Sequence, residues 1–497
     1  MPEGTSTADV SLPRSAVVLL AGAMSVVACT GADEGARRRI PADFASCRLA
    51  GGLSAHCGTV RVPLGEGAEP DATLDLAVAI VPASSPTPDA LPVYMLAGGP
   101  GQASIATYPR LLPMLGDVRR RHDVVLVDQR GTGRSAGMVC DEPEDPARRL
   151  DPVPDFAELA RCLEGLPLDP RVVTTEHAVA DLERVRMALG HDRIALVGAS
   201  YGTRMALSYM RRHQDRVAAA VLDGVAPPEM VLFEDFATDA QAALDGRLAA
   251  CAADEACNEA FGDLAHRFSE ALADLARAPR TVRAEHPRTG ESFEVEASRR
   301  IVAPLVRGLL YATDLAPILP YTLHRLAAGD LDPLLGQGLV FADEVEGSMA
   351  TAMMLSVVCA EDVPFIEPER ARAKSEGTFL GTVLVDLLRE VCARWPHGEV
   401  PPDVKAPVTS DVPVLLLSGQ LDPVTPPRWA ELAARGLTRS WHVVVPRAGH
   451  GTLVAGCVPD LVGEFLAAPG SFAEVDTSCV ESFAPLPFFV DAGGPRP

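Results

Sequence analysis

Three residues have the types and the placement that nucleophilic catalysis needs. Ser200 lies at the centre of a Gly-x-Ser-x-Gly pentapeptide, whereas Asp422 and His450 each follow an apolar run near the end of the chain. A serine hydroxyl is a poor nucleophile unless a base takes its proton. His450 is the candidate base, and Asp422 would fix its tautomer and stabilise its cationic form. The sequence therefore predicts a Ser-Asp-His triad for acyl transfer.

The surroundings of Ser200 predict a nucleophile elbow. An apolar run, 194–197, precedes the pentapeptide, and an amphipathic segment, 203–212, follows it. Strand, Gly-x-Ser-x-Gly and helix in this order form a tight turn that holds the serine in a strained conformation. Small residues are required at Gly198 and Gly202, because a side chain there would collide with neighbouring backbone. The Ser200 hydroxyl is then presented beside the N-terminus of a helix.

A second glycine-rich loop, Gly-Gly-Pro-Gly over 98–101, follows the apolar run 92–97. In enzymes with a nucleophile elbow, the loop after this strand supplies a backbone N–H to the developing oxyanion. Glycines let that main chain approach the substrate carbonyl closely. We predict that the N–H groups of Gly99 and Tyr201 bind the oxyanion, with an effect of about 3–4 kcal/mol per donor. A plain Gly/Pro turn is the alternative interpretation.

Strand-type and helix-type segments alternate along the chain, which predicts a mainly parallel sheet with right-handed crossovers. The predicted fold class is α/β: an α/β-hydrolase fold with helices on both faces of the sheet and an inserted helical cap. The runs 58–62 and 74–80 predict a leading antiparallel pair of strands. The inserted segment is too long for a loop and too helical for the sheet. The predicted organisation is a signal peptide over 1–29, a tether over 30–45, a first core part over 46–228, the cap over 229–405 and a second core part over 406–497.

The N-terminus predicts export. Arg14 precedes an apolar stretch, 16–28, which is too short to span a bilayer but has the length of a signal-peptide core. The stretch runs into Val-Val-Ala-Cys, which resembles the lipobox of bacterial lipoproteins, so Cys29 is the predicted lipidation site. An ordinary secretory signal with a chance cysteine is the alternative. We expect a lipoprotein of the cell envelope or periplasm, or a secreted protein.

The composition limits the classes of partner. The 497 residues are 47% apolar and carry a formal net charge of −23, which indicates a globular chain and argues against nucleic-acid binding, since phosphate binding needs clustered Lys and Arg. No cofactor is implied, because the triad supplies the whole acid–base apparatus. Membrane contact is expected only through the N-terminal lipid, and the oligomeric state stays open.

The cysteine count also favours export. Of 11 cysteines, setting Cys29 aside leaves 11 − 1 = 10, an even number. None forms a C-x-x-C pair and no histidine has zinc-finger spacing, so no metal site is expected. Disulfides in an oxidising compartment are the preferred account, with reduced thiols in a cytosolic enzyme as the alternative. Sequence does not fix connectivity, and nearest-neighbour pairing predicts Cys47–Cys57, Cys140–Cys162, Cys251–Cys257, Cys359–Cys392 and Cys457–Cys479.

The motifs together resemble the prolyl iminopeptidase and tripeptidyl aminopeptidase family of α/β-hydrolases, over residues 45–480. The resemblance is carried by the loop 98–101, the segment Asp-Gln-Arg-Gly-Thr-Gly-Arg-Ser over 128–135, the elbow, and the C-terminal aspartate and histidine segments. It implies a serine exopeptidase that releases amino acids or short peptides from free peptide N-termini through an acyl-enzyme. One position departs from the family: where its members usually have a histidine that braces the first loop, this chain has Ala97.

Substrate recognition is the least determined part of the sequence. An exo-acting peptidase needs a carboxylate for the substrate ammonium, and in the family it comes from the cap. Glu361 and Asp362 are the candidates here, with a solvated acidic turn as the alternative. Arg130 and Arg134 either contact the substrate or brace their own loop through Asp128.

Two other functions remain open at this point. An exported carboxylesterase would use the same triad but would need no free amine on its substrate. A non-catalytic binding lipoprotein could be built on the same fold, although an intact triad argues against it.

Overall fold

The computed structural model describes residues 40–65, 69, 71–86, 91–311, 313–343, 349–484 and 486–495. The predicted signal peptide, its Cys29 and the predicted tether up to residue 39 lie outside the described residues. No helix in these ranges is both long enough and apolar enough to cross a bilayer.

The strands of the described residues form one large sheet and one hairpin. They are β1 (Ala45–Arg48), β2 (Ser54–Pro63), β3 (Thr73–Val81), β4 (Val93–Leu96), β5 (Val124–Val127), β6 (Ile194–Ala199), β7 (Val217–Asp223), β8 (Arg280–Glu285), β9 (Ser292–Ala297), β10 (Val414–Gly419) and β11 (Ser440–Val445). The large sheet has nine strands in the order β1-β2-β3-β5-β4-β6-β7-β10-β11, and β8 pairs with β9 alone.

The large sheet is parallel from β5 to β11 and antiparallel at its leading edge, where β1, β2 and β3 pair in sequence order and β3 pairs with β5. The predicted antiparallel pair and the mostly parallel sheet are both confirmed. The central strands are apolar along their whole length because both faces are covered. Tyr94 and Leu196 pack into one hydrophobic layer, and Met95 and Val197 pack into the other.

The helices flank the sheet and build the insertion. They are α1 (Ser104–Thr107), α2 (Gly116–Arg121), α3 (Pro146–Leu150), α4 (Phe156–Gly165), α5 (Thr175–Ala188), α6 (Tyr201–His213), α7 (Phe236–Ala253), α8 (Glu255–Phe261), α9 (Leu264–Arg277), α10 (Arg299–Tyr311), α11 (Leu319–Ala327), α12 (Asp332–Phe341), α13 (Thr351–Glu361), α14 (Pro368–Ser375), α15 (Val383–Cys392), α16 (Pro427–Ala434) and α17 (Val458–Ala467). Helices α5 and α6 contribute to one layer beside the sheet, and α2 and α17 contribute to the other.

The segment between β7 and β10 has a core of its own. Apolar residues of α7 to α12 form a separate hydrophobic cluster, as expected for a cap. The structure adds the hairpin β8–β9, which the helical periodicity did not predict. In β9 buried and exposed residues alternate strictly, which is the pattern of a half-buried strand. Helix α13 packs into the sheet layer through Met353 and Val357, so the insertion is also embedded in the core.

Disulfides join the ten described cysteines in nearest-neighbour order. The pairs are Cys47–Cys57, Cys140–Cys162, Cys251–Cys257, Cys359–Cys392 and Cys457–Cys479. The predicted connectivity is therefore the one the structure has. Each bond closes a short loop within the core or within the insertion, and such local bonds are typical of exported proteins.

Candidate active site

Ser200 occupies a sharp turn between β6 and α6. Its backbone has φ 54° and ψ −122°, a conformation that non-glycine residues rarely adopt. Neighbouring backbone leaves no room for side chains on either side of it. A Cβ at Gly198 would lie 2.5 Å from the Gly202 carbonyl oxygen, and one at Gly202 would lie 2.1 Å from that of Leu96. The turn has the geometry predicted for a nucleophile elbow, with Ser200 at the start of a helix.

Asp422 follows β10 and His450 follows β11, and the two side chains meet beyond the ends of these neighbouring strands. The Nδ1–H of His450 donates to Asp422 Oδ2 over 2.7 Å, and both side chains are buried. Asp422 Oδ1 accepts from the amides of Val424 and Thr425, while the Thr425 hydroxyl donates to Oδ2 and lies 3.1 Å from His450 Nδ1. These bonds use the acceptor capacity of the carboxylate, so its orientation toward the imidazole is fixed.

The pKa values of this pair are shifted so that Asp422 stays ionised and His450 is a stronger base. Burial opposes the ionisation of Asp422, but the charge and hydrogen bond of His450 outweigh it and hold the pKa of Asp422 below its usual value. Burial likewise favours neutral His450, yet the Asp422 charge and hydrogen bond prevail and raise the pKa of His450. The pair therefore stabilises the imidazolium that forms when His450 takes a proton.

Asp223, at the end of β7, anchors the loop that carries His450. Its carboxylate accepts hydrogen bonds from the amide and hydroxyl of Thr452 and from the amide of Leu453. Its own carbonyl accepts from the Ser200 amide at 2.8 Å. The next residue, Gly224, leaves space for the imidazole, because a Cβ there would lie 3.0 Å from His450 Cε1. This strand end therefore connects the serine turn to the histidine loop.

Tyr311, the last residue of α10, lies against both His450 and Ser200. Its ring centroid is 4.5 Å from that of His450, and its carbonyl accepts from the His450 amide at 3.0 Å. Burial raises the pKa of the Tyr311 phenol, and hydrogen bonding by the Ser200 hydroxyl acts in the opposite sense. Among the described residues no hydrogen bond of normal length joins the Ser200 hydroxyl to the His450 ring. The insertion thus contributes a phenol beside the serine.

The Gly-Gly-Pro-Gly loop lies directly against the serine. A Cβ at Gly98 would come within 3.0 Å of Ser200 Cβ. The amides of Gly99 and Tyr201 donate none of the backbone hydrogen bonds found between described residues, so both stay available as the predicted oxyanion donors. Ala97 is buried at the position where the family usually has a bracing histidine, and its methyl group cannot make the hydrogen bonds of that histidine. The loop is held instead from the insertion, where the Ala350 amide donates to the Gly101 carbonyl at 3.0 Å.

The loop after β5 is held by hydrogen bonds to protein groups, but for Arg130 these come from outside the loop and not from Asp128, which the bracing alternative named. Arg130 is buried and forms a bidentate pair with Asp181, at 2.8 Å for both contacts, and it also donates to the carbonyls of Leu64 and Val172. The bracing acid is therefore Asp181 for Arg130. Asp128 accepts from the amide of Arg134 at 3.1 Å, which closes the loop through its backbone.

Glu361 and Asp362 bond to residues of α5, of the elbow helix α6 and of the insertion. Glu361 is buried and accepts from the amide and hydroxyl of Thr175. Asp362 is also buried and pairs with Arg204 of α6 and with Lys405. Burial, helped by Arg204, lowers the pKa of Lys405 to about 8. Both acids are thus committed to protein partners, and their geometry does not support the predicted contact with a substrate ammonium.

Sequence reasoning did not find four residues of this site. Two of them had a signal in the sequence. Asp223 ends an apolar run that predicts a strand, and Thr425 is the third residue after Asp422. Tyr311 and its neighbour Arg307 carry no such signal, since only the docking of α10 brings Tyr311 to Ser200 and places Arg307 where its charge acts on His450. No cluster of three or more His, Cys, Asp or Glu residues in the described ranges is arranged to hold a metal.

Comparison with known proteins agrees with this architecture. The family model described as alpha/beta hydrolase fold matches residues 92–455. The serine protease Hip1 of Mycobacterium tuberculosis is 26% identical over 428 residues, covering 78% of this chain and 81% of that protein. The tripeptidyl aminopeptidase of Streptomyces coelicolor is 25% identical over 425 residues, covering 78% and 76%.

A solved structure of proline iminopeptidase from Mycobacterium smegmatis covers 84% of this chain and 100% of its own, with a TM-score of 0.41 and 16% identity. The family match extends from β4, which precedes the glycine-rich loop, to the segment that follows His450. It therefore spans the strand ends that carry Ser200, Asp422 and His450. The chain belongs to the family of proteins with the alpha/beta hydrolase fold.

Proposed function

We propose that this hydrolase is an exported serine exopeptidase, which releases amino acids or short peptides from free peptide N-termini through an acyl-enzyme. The observation that carries the proposal is the fixed His450–Asp422 pair, with Nδ1 and Oδ2 2.7 Å apart, beside a strained Ser200. The names of the relatives, a serine protease and a tripeptidyl aminopeptidase, support hydrolysis of amide bonds.

In the acylation step, His450 Nε2 takes the proton of the Ser200 hydroxyl as Oγ attacks the scissile carbonyl carbon. The carbonyl π electrons move to oxygen, and the amides of Gly99 and Tyr201 bind the resulting oxyanion. When the intermediate collapses, the C–N bond breaks and His450 gives its proton to the leaving amine. The products are a peptide with a new N-terminus and an ester on Ser200.

In the deacylation step, water replaces the amine. His450 takes a proton from the water as its oxygen attacks the ester carbonyl, and the same two amides bind the second oxyanion. Collapse breaks the bond to Oγ, which regains a proton from His450. Asp422 stays ionised throughout and stabilises the imidazolium in both steps, in agreement with the lowered pKa of Asp422.

An exported carboxylesterase is the second candidate, and one observation favours it. The acids predicted to bind the substrate ammonium, Glu361 and Asp362, are buried and already paired. An esterase requires no such acid, since its substrate needs no free amine. The two functions share the triad and differ in what the protein must recognise beside the scissile bond.

Paired substrates separate the two candidates. Purified protein is given aminoacyl and tripeptidyl anilides, each with a free and an acetylated N-terminus, beside a p-nitrophenyl ester, with Ser200→Ala as the control. The exopeptidase predicts cleavage of the free-amine anilides alone, and the shorter or longer series identifies how many residues are released. Fast ester turnover with all anilides inert would contradict it and establish the esterase.

We also propose that the chain is exported and carries a lipid on Cys29. The lipobox-like sequence supports the lipid, and the disulfides of the described residues support an oxidising compartment. Expression with an alkyne-labelled fatty acid should label the wild-type chain and leave Cys29→Ser unlabelled. Equal labelling of both chains, or of neither, would show that Cys29 is not lipidated.

A further inference from the structure

Arg307 is a cation without a counter-charge in the wall of the candidate site. It lies on α10, one turn before Tyr311, and its guanidinium stacks over the ring of Phe236 at 4.7 Å. Its Nε is buried and has no hydrogen-bond partner. The residue as a whole is partly buried, and no described acid forms an ion pair with it, although burying part of a charged group without a partner is costly.

The position of Arg307 relative to the triad follows from the helix. Residues four apart lie on the same face of a helix, so Arg307 is adjacent to Tyr311, whose ring lies 4.5 Å from that of His450. The electrostatics agree with this placement. Burial lowers the pKa of His450 and Asp422 raises it, and the positive charge of Arg307 also acts to lower it. The Asp422 charge in turn acts on the pKa of Arg307, against the larger effect of burial.

Buried arginines such as Arg130 and Arg204 have carboxylate partners, whereas the buried Arg247, like Arg307, has none among the described residues. Arg130 forms a bidentate pair with Asp181 through Nε and Nη2, and Arg204 contacts both oxygens of Asp362 through Nη1, with contacts of 2.8 to 3.0 Å. The acid of the site whose charge acts on the pKa of Arg307 is Asp422, and its oxygens are occupied by His450, by two amides and by a hydroxyl. Arg307 therefore has the environment of a binding group whose partner comes from outside the chain.

The chemistry of that partner follows from the guanidinium. Its planar fork matches a carboxylate in a bidentate arrangement and retains its charge at any physiological pH. The contact with the ring of Phe236 uses none of the guanidinium N–H groups. A planar anion that arrives with the substrate would complete the site, and a carboxylate is the anion that peptides carry.

We propose that Arg307 binds a carboxylate of the substrate next to the scissile bond, and that this group is what the enzyme prefers. The inference rests on the proposed function, because it takes the substrate to be a peptide cleaved at Ser200. Two sources share this chemistry: an acidic side chain on the residue that is acylated, and the α-carboxylate of a short leaving group.

Two substrate pairs distinguish the sources. The first compares free-amine peptidyl anilides that end in Glu or Gln at the acyl position. The second compares peptides whose single leaving residue ends in a carboxylate or in a carboxamide. We expect wild-type protein to favour the carboxylate member of one pair roughly 10- to 100-fold in kcat/KM, mainly through KM, as for a hydrogen bond to a charged group.

The variants test whether Arg307 causes this preference. Arg307→Gln should reduce the ratio within the preferred pair to about 1, and Arg307→Lys, which keeps the charge but loses the fork, should give an intermediate ratio. Arg300→Gln is the matched control, since Arg300 lies on the same helix and pairs with Asp151 outside the site. It should leave both activity and preference unchanged.

Each negative outcome has a separate meaning. Wild-type protein that cleaves the neutral peptides but shows no carboxylate preference in either pair would overturn the inference and leave the proposed function intact. A preference that survives in Arg307→Gln would also overturn it. If no peptide is cleaved while esters are, the proposed function fails. The Glu and Gln pair is then repeated as p-nitrophenyl esters, and the ratio still decides the role of Arg307.

Discussion

The backbone amide of His450 donates its hydrogen bond to the carbonyl of Tyr311, over 3.0 Å. The two residues belong to different parts of the chain, one to the loop after β11 and the other to the end of α10 in the insertion. The preceding amide, of Gly449, also bonds to the insertion, through the hydroxyl of Thr313 at 2.9 Å. The backbone position of the proposed base is therefore set by the cap as well as by the sheet.

Tyr311→Phe tests the role of the phenol beside Ser200. The substitution removes the hydroxyl and leaves the ring and the carbonyl that contact His450. If the hydroxyl assists at the reaction centre, kcat should fall about 10- to 100-fold, with little change in KM or in thermal stability. Steady-state kinetics on the best substrate measures this. Tyr321→Phe, in the same cap but beside Arg325, is the matched control, and equal kcat values in both variants would exclude the role.

The pH profile tests the state of His450. Catalysis needs the neutral imidazole, so activity is lost as the pH falls through the pKa of His450. Because the Asp422 charge and hydrogen bond raise that pKa against burial, the acid limb of kcat/KM should lie above about 6.5. In Asp422→Asn the limb should move to lower pH, and kcat should fall by about 10⁴-fold. A wild-type limb below 6.5 would contradict the assignment.

Asp362→Asn separates a structural acid from a substrate-binding one. The substitution leaves Arg204 and Lys405 buried beside a neutral amide, so we expect a loss of about 3–5 kcal/mol in the free energy of unfolding. Urea unfolding measures the loss. Asp192→Asn is the control, because Asp192 is exposed in its pair with Arg216 and should cost less than about 1 kcal/mol. Normal stability with a raised KM for free-amine substrates would instead restore the ammonium-binding role.

Gly202→Ala tests the packing of the elbow. The added Cβ would meet the Leu96 carbonyl oxygen at 2.1 Å, so the turn or β4 must shift. We expect a loss of about 1–3 kcal/mol in stability and a fall in kcat/KM of about 10²-fold, because small displacements of a nucleophile are costly. Gly116→Ala, where no atom lies within 4 Å of the new Cβ, should change neither. Wild-type activity in Gly202→Ala would refute the close approach.

The sheet and the placement of the three proposed triad residues could be predicted because their signals are local. Ser200, Asp422 and His450 each sit at the end of an apolar strand, and parallel strands bring their carboxyl ends to the same edge of a sheet. The roles of the glycines in the elbow and in the Gly-Gly-Pro-Gly loop could also be predicted, since close backbone approach excludes other residues. Such features need no knowledge of how distant segments dock.

The cap side of the site depends on docking and could not be predicted in the same way. Tyr311 reaches Ser200 and His450 only through the packing of α10, which also carries Arg307. The sequence around Asp362 is also compatible with an exposed acidic turn. Its burial depends on Arg204, which lies 158 positions earlier in the chain. The hairpin β8–β9 was missed because its charged faces have no continuous apolar run. In each case the deciding interaction is long-range.

The hydrogen bond between His450 and Tyr311 bears on how this scaffold can be re-engineered. A sheet with the insertion deleted would keep every residue of the triad, yet the histidine loop would lose its backbone acceptor and the serine its neighbouring phenol. The sheet without the insertion is therefore not expected to be a working enzyme. Exchanging the insertion between relatives would change part of the reaction centre as well as the substrate specificity. Libraries that aim at new substrates should vary the insertion while holding Tyr311 and Thr313 constant.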